Sequence, residues 1–120
     1  MSLTHISPTP GATYTPAVVA SGLVYTAGQV GADERGETPS EFSDEVRLAI
    51  ANLTAVLTSA GTGLAQLVKV NCYIADVDLV STFNDIYREL VPEPRPARTT
   101  VQARLIPPYR IELEAVAALT

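Results

Sequence analysis

An α+β sandwich, one mixed sheet carrying two helices on a single face, is the fold class predicted for this chain of 120 residues. Apolar residues recur at helical spacing in two segments, and the segments around them carry the period-two alternation of strands. The resulting order is β-β-α-β-α-β-β, without repeats or low-complexity stretches, which segregates the helices to one layer. A third observation concerns assembly. Several strands are apolar on both faces, as in Val18-Val19, Leu23-Val24 and Ala115-Val116-Ala117. No residues are left to build a third layer, so another copy of the chain is expected to cover the helix-free face in an obligate homo-oligomer.

The elements follow in order. Residues 17–20 and 23–27 are β-prone runs joined by Ser21-Gly22, a hairpin signal. Gly28-Gln29-Val30-Gly31 closes that hairpin, and the acidic stretch through Glu37 reads as a surface loop. Thr38-Pro39-Ser40-Glu41 predicts a helix start, with Thr38 as cap, Pro39 at the first helical position and Glu41 completing a capping box. Phe42, Val46, Ala49, Ile50, Leu53, Val56, Leu57 and Ala60 then form one apolar face, and Gly61 is placed as C-terminal cap. In residues 67–74, Val68, Val70, Cys72 and Ile74 alternate with Lys69, Asn71 and Tyr73, which predicts a strand. A second helix starts near Asp76 or Asp78, carries Leu79, Val80, Phe83, Ile86, Tyr87 and Leu90, and is stopped by Pro92, Pro94 and Pro96. Two strands close the chain, over residues 97–105 and 110–118.

Composition bounds the chemistry. With 47% hydrophobic and 18% charged residues, residues 1–120 are expected to form one globular domain. One cysteine, Cys72, and one histidine, His5, exclude an internal disulfide and any Cys/His zinc site within the chain. A net charge of −5 argues against a dedicated nucleic-acid binder, which needs a basic surface. The charge is uneven. Residues 33–45 hold six acids and one Arg, whereas residues 95–110 hold four Arg and no acid. No apolar run is long enough to span a membrane and no signal-peptide pattern is visible, so a cytoplasmic location is expected.

Arg98, in Pro96-Ala97-Arg98-Thr99-Thr100-Val101, has no acidic neighbour in sequence, and its guanidinium suits a carboxylate gripped by two parallel hydrogen bonds. The competing reading is a surface Arg or half of a structural ion pair. Glu112 and Glu114 alternate with Ile111, Leu113 and Ala115, so both point to the opposite face. Covered by a second subunit, one of them becomes a desolvated acid or base; left open, both are solvated carboxylates. Cys72 lies among core positions, His5 lies in a polar stretch, and the five tyrosines are assigned to packing. Gly28 and Gly31 lack the ending of a phosphate loop. These residues allow an anion pocket without naming a reaction.

The order of motifs narrows this. Tyr14-Thr15-Pro16-Ala17-Val18, Val24-Tyr25-Thr26-Ala27-Gly28-Gln29-Val30, Asn52-Leu53 through Ala60-Gly61, Val68-Lys69-Val70, Phe83-Asn84-Asp85-Ile86-Tyr87, Pro96-Ala97-Arg98-Thr99-Thr100-Val101 and Ile111-Glu112-Leu113-Glu114-Ala115-Val116-Ala117 together resemble the RidA/YjgF-type reactive intermediate deaminases. The resemblance implies a chorismate-mutase-like homotrimer with three ligand clefts between subunits. It also implies hydrolysis of small enamines and imines, such as 2-aminoacrylate or 2-iminopropanoate, to a 2-keto acid and ammonia without a cofactor or metal. Arg98 matches the family's carboxylate-binding Arg, and Glu112 is assigned to positioning or deprotonating the attacking water. Tyr14 and Asn84 resemble pocket-lining residues, and the Gly28 backbone resembles a donor near the ligand. Thr100 stands where many active members carry Cys. Thr15-Pro16 replaces a frequent Ser-Gln, and Ala27 a frequent Ser, removing polar groups near the expected cleft. Alternatives are a binding protein that keeps the clefts without efficient hydrolysis, a specialised member taking another carbonyl or imine compound, and an RNA-cleaving activity, which the acidic balance disfavours.

Overall fold

The computed structural model describes residues 2–119. It contains strands β1 (Thr4–Ile6), β2 (Ala17–Ala20), β3 (Leu23–Thr26) and β4 (Gln29–Val30), then helix α1 (Phe42–Ser59). Strand β5 (Leu67–Ile74), helix α2 (Val80–Leu90), β6 (Ala97–Gln102) and β7 (Ile111–Ala118) complete the chain. All strands join one sheet in the order β1-β2-β3-β7-β5-β6, with β4 also on β7. Only β5 and β6 run parallel, so the sheet is mixed as expected. Both helices cover one face.

Local chemistry explains most elements. Ser21 and Gly22 have φ of 51° and 77°, the left-handed pair that a two-residue hairpin turn requires. Helix α1 ends as predicted: Gly61 has φ of 87°, its N–H donates to Thr58 and the Thr62 N–H to Leu57, a Schellman arrangement. Asp76 caps the second helical segment by accepting the Asp78 N–H at 2.8 Å, and one 3₁₀ turn, Val77–Leu79, precedes α2. Val70, Cys72, Ile74, Ile111, Leu113, Ala115 and Ala117 face the helices and are buried against Val46, Ile50, Leu53, Leu57 and Phe83.

The structure departs from the sequence reading at five places. Residues 4–6 form β1 on the free edge of β2, with Ile6 packed on the core; His5 is exposed as expected. Gln29 and Val30 pair with Leu113 and Glu112, so the segment continues the sheet instead of ending it. Val68 is not a core residue. Leu67 pairs with Ala117 and Lys69 with Val116, so Val68 is the extra residue of a bulge and remains 47% exposed. Strand β6 ends at Gln102, short of residue 105, because its partner β5 ends opposite it at Ile74, and the Gln102 side chain instead accepts the Val77 N–H.

The fifth departure is at the start of α1. The helix begins at Phe42, Glu41 makes no side-chain cap, and the Thr38 hydroxyl is buried without a partner. The capping box does not form because Arg110 takes the Pro39 and Ser40 carbonyls, each at 3.1 Å, and holds that segment out of the helix. Arg110 is itself fixed by Glu45, which is wholly buried. The carboxylate accepts Arg110 Nε at 2.7 Å, the Arg110 N–H at 2.7 Å and the Ile111 N–H at 3.3 Å. This anchor sets where β7 begins, one residue later than predicted.

Two outcomes follow. Glu45→Ala strands a guanidinium and two backbone donors, so urea unfolding is expected to show a loss of about 3 kcal/mol, with Glu45→Gln costing less. Burial pushes the Cys72 thiol up to about 11, with the Arg98 charge offsetting part of that rise. The unfolded thiol therefore ionises first, and stability falls as pH rises from about 9 to about 11. Over that window the wild-type chain should lose about 2 kcal/mol more than Cys72→Ala, read by denaturant titration at both pH values.

Candidate functional site

Arg98 lies on β6, the edge strand, paired with Val70, and so on the helix-bearing face. Helix α2 presents Phe83, Asn84 and Tyr87 to it, residues that helical spacing puts on one side. The guanidinium carbon sits 4.8 Å from the Tyr87 ring centre and 5.3 Å from that of Phe83, close enough for cation–π attraction. One Nη donates to Asn84 Oδ1 at 2.8 Å. Among the described residues no carboxylate lies within ion-pair distance of Arg98, so no structural ion pair holds it there. Its remaining donors are available to a ligand. The cation borders a depression of about 340 Å³ lined by Asn84, Tyr87, Arg88, Arg95, Pro96 and Arg98.

Beneath it lies a buried polar layer. Thr100 pairs with Cys72 across the strands, and the Thr100 and Tyr87 hydroxyls are both buried without hydrogen-bond partners. Burial pushes the Tyr87 phenol up to about 12, reinforced by Cys72 and opposed by Arg98 and Arg95. Tyr87 and Cys72 are therefore neutral near pH 7, and Cys72 lacks the thiolate a nucleophile needs.

Glu112 lies elsewhere. On β7, buried Ile111, Leu113, Ala115 and Ala117 alternate with half-buried Glu112, Glu114, Val116 and Ala118, so both glutamates occupy the helix-free face. A Cβ built on Gly28 would come within 1.9 Å of Glu112 Oε2, so the carboxylate rests directly on the Gly28 backbone. Only glycine leaves that space. Tyr73 pairs with Glu112 across the strands, Asn71 Nδ2 donates to Glu114 at 3.2 Å, and desolvation together with the glutamates raises the Tyr73 phenol above its usual value.

The structure brings together Arg98, Asn84 and Thr100 on one face, and Gly28 and Glu112 on the other. It does not bring the two sets together within one chain, because the pleat turns them to opposite sides of the sheet. Tyr14 is 66% exposed in the β1–β2 loop, with no hydrogen bond to either set among the described residues. Sequence reading assigned Phe83 and Tyr87 only to packing and missed Arg95. The available signal was Phe83-Asn84 and Tyr87 at spacing one and four, opposite an Arg without acidic neighbours. Among the described residues no cluster of three His, Cys, Asp or Glu side chains could hold a metal ion. No described helix is long and apolar enough to cross a membrane.

Residues 4–119 match the family described as Endoribonuclease L-PSP. Protein mmf2, mitochondrial, of Schizosaccharomyces pombe is 40% identical over 112 residues, 90% of this chain and 89% of that protein. The 2-iminobutanoate/2-iminopropanoate deaminase of Dermatophagoides farinae is 31% identical over 119 residues, 97% of this chain and 93% of that one. The crystal structure of E. coli TdcF with bound serine superposes with a TM-score of 0.88 at 28% identity, covering 98% of this chain and 99% of that one. The edge-strand arginine, the glycine-seated glutamate and the two-layer fold thus sit within a match spanning nearly the whole sequence, and the chain belongs to the L-PSP family, the group that includes the RidA/YjgF proteins.

Proposed function

We propose that the chain is a hydrolytic deaminase of small, carboxylate-bearing enamines and imines, giving a 2-keto acid and ammonia without a cofactor. The observation that carries this reading is Arg98, a guanidinium held by one neutral amide and two aromatic rings and paired with no acid among the described residues. Such a group is pre-ordered for a bidentate carboxylate. Because Glu112 lies on the other face, the working site pairs Arg98 of one copy with Glu112 of the next, in clefts of a homotrimer. Exposed Tyr25 and Val101 on the helix-free face support such burial.

The chemistry needs only water. An enamine first takes a proton at carbon and gives one up from nitrogen, becoming the imine. Glu112 accepts a proton from water as the oxygen bonds to the imine carbon and the C=N electron pair moves to nitrogen. The same carboxyl then gives that proton to nitrogen to complete the carbinolamine, and next takes the hydroxyl proton and passes it to the amine, so that the C–N bond breaks, ammonia leaves and the oxygen lone pair closes the ketone C=O. Arg98 fixes the substrate so that water and imine meet in one orientation, itself a rate effect. Asn84 and Thr100 line the Arg98 side, and Gly28 seats Glu112. Tyr14 closes the cleft from its exposed loop.

The losses of polar side chains at Pro16 and Ala27 favour a second reading, a protein that binds a different carbonyl or imine compound without efficient hydrolysis. Glu112→Gln separates the two. RNA cleavage, the activity named in the family's description, is opposed by the net charge of −5. A cytoplasmic location is the sequence's expectation, whereas the fission-yeast relative is named as mitochondrial; cell fractionation decides it.

Imine decay is to be followed spectroscopically after generation by a threonine or serine dehydratase. Wild-type protein should accelerate it. Arg98→Ala should lower kcat/KM by about 100-fold, the loss of a charge-assisted bidentate contact. Glu112→Gln should lower kcat by about 100-fold or more, and Gly28→Ala should act similarly by displacing that carboxylate. Unchanged rates in Glu112→Gln would end the water-activation role. Sedimentation equilibrium should show a trimer; a folded monomer at micromolar concentration would remove the cleft between copies.

A further inference from the structure

The depression beside Arg98 is lined by two further arginines, Arg88 and Arg95. Arg95 Nε donates to the Val91 carbonyl at 3.2 Å and one Nη to the Arg88 carbonyl at 2.9 Å, so neutral acceptors at the end of α2 fix this guanidinium in place. A cation there also suits the helix C-terminal dipole. Its other Nη reaches Glu93, whose side chain is 78% exposed. Arg88 pairs with Asp85, and both side chains are largely exposed. Pairs of that kind contribute little and open readily in water. Neither Glu93 nor Asp85 lines the depression, whereas Arg88, Arg95 and Arg98 all do.

Two of these three cations, Arg95 and Arg98, are held mainly by uncharged groups, on one concave surface of a chain whose net charge is −5. A ligand with a single carboxylate satisfies Arg98 and leaves Arg95 with only its exposed partner Glu93, which does not line the depression. Its volume of about 340 Å³ is within the range of small-molecule sites. We propose that the preferred substrates are imino acids with a second carboxylate on the side chain, Arg98 holding the α-carboxylate and Arg95, assisted by Arg88, the distal one. The proposal rests on the deaminase reading and specifies its substrate class. The reaction is unchanged: water adds, and the products are a 2-keto dicarboxylate and ammonia.

The test compares imines generated from glutamate and from leucine by amino-acid oxidases with catalase present, using full-length wild type, Arg95→Gln and Arg88→Gln. Wild type should favour the glutamate-derived imine by about tenfold in kcat/KM, and Arg95→Gln should erase most of that preference through KM. Arg88→Gln should weaken it less. Arg95 ties backbone carbonyls, so thermal melts accompany that variant; Arg88→Gln removes only a surface pair and gives an independent reading. A wild-type preference at or below one, or a preference unaltered in both variants, overturns the proposal while leaving the deaminase reading intact. If neither imine decays faster than in buffer, the deaminase reading fails, and calorimetry with 2-oxoglutarate and 2-oxobutanoate decides the pocket. Tighter binding of 2-oxoglutarate that is weakened by Arg95→Gln supports the dicarboxylate site, and equal or absent binding refutes it.

Discussion

The contact on which the rest of the structure depends is the buried carboxylate of Glu45. It reaches from the first turn of α1 to Arg110 and the start of β7, residues far apart in sequence. Gly31 lies against the same turn, where a Cβ would meet the Glu45 carbonyl at 2.2 Å, so the chain leaving β4 is drawn into this junction. Asn52 adds to it by donating to the Val30 and Ala32 carbonyls. Helix, strand entry and loop thus share one polar knot inside an apolar core. Glu112 is one residue beyond its end, so the position of the candidate base is inherited from a carboxylate wholly buried in the core.

The opposite end of the sheet follows a different logic. At Glu45 a charge is buried and fully answered; at Arg98 a charge is half-buried and, among the described residues, paired with no acid. Leaving a cation in that state weakens the fold, and a core of Leu and Val would serve stability better. Two aromatic rings and an amide oxygen hold it at a cost the sheet tolerates because β6 is an edge. Violations of this kind tend to mark functional positions, because the missing partner arrives with a ligand.

What could be read from sequence was set by the range of the forces involved. Ser21-Gly22 and the Thr58-to-Thr62 helix end are decided within four residues, and both followed the local rules. Thr38 and Glu41 also obeyed a local rule, yet Arg110, some 70 positions away, claimed the neighbouring carbonyls first. Val68 fitted the strand alternation, but a mismatch in pairing with β7 turned it outward, and no single-strand pattern reveals a partner's register. Arg98 and Glu112 stood out for sound reasons. Their placement on opposite faces required knowing that Arg98 pairs with Val70 and Glu112 with Tyr73, which only the assembled sheet supplies.

That placement changes what a damaging substitution means. Under the proposed pairing of Arg98 in one copy with Glu112 in the next, inactivity belongs to a junction between copies and not to a gene product. A chain lacking its guanidinium and a chain lacking its carboxylate, each inert alone, can meet so that one junction holds both intact groups. Co-expressed in one cell, two null alleles would then partly restore each other, with about a quarter of junctions whole in a random mixture of closed rings. In genetic terms, alleles of this locus would fall into two complementing classes, one mapping to the edge strand and one to the strand seated on glycine.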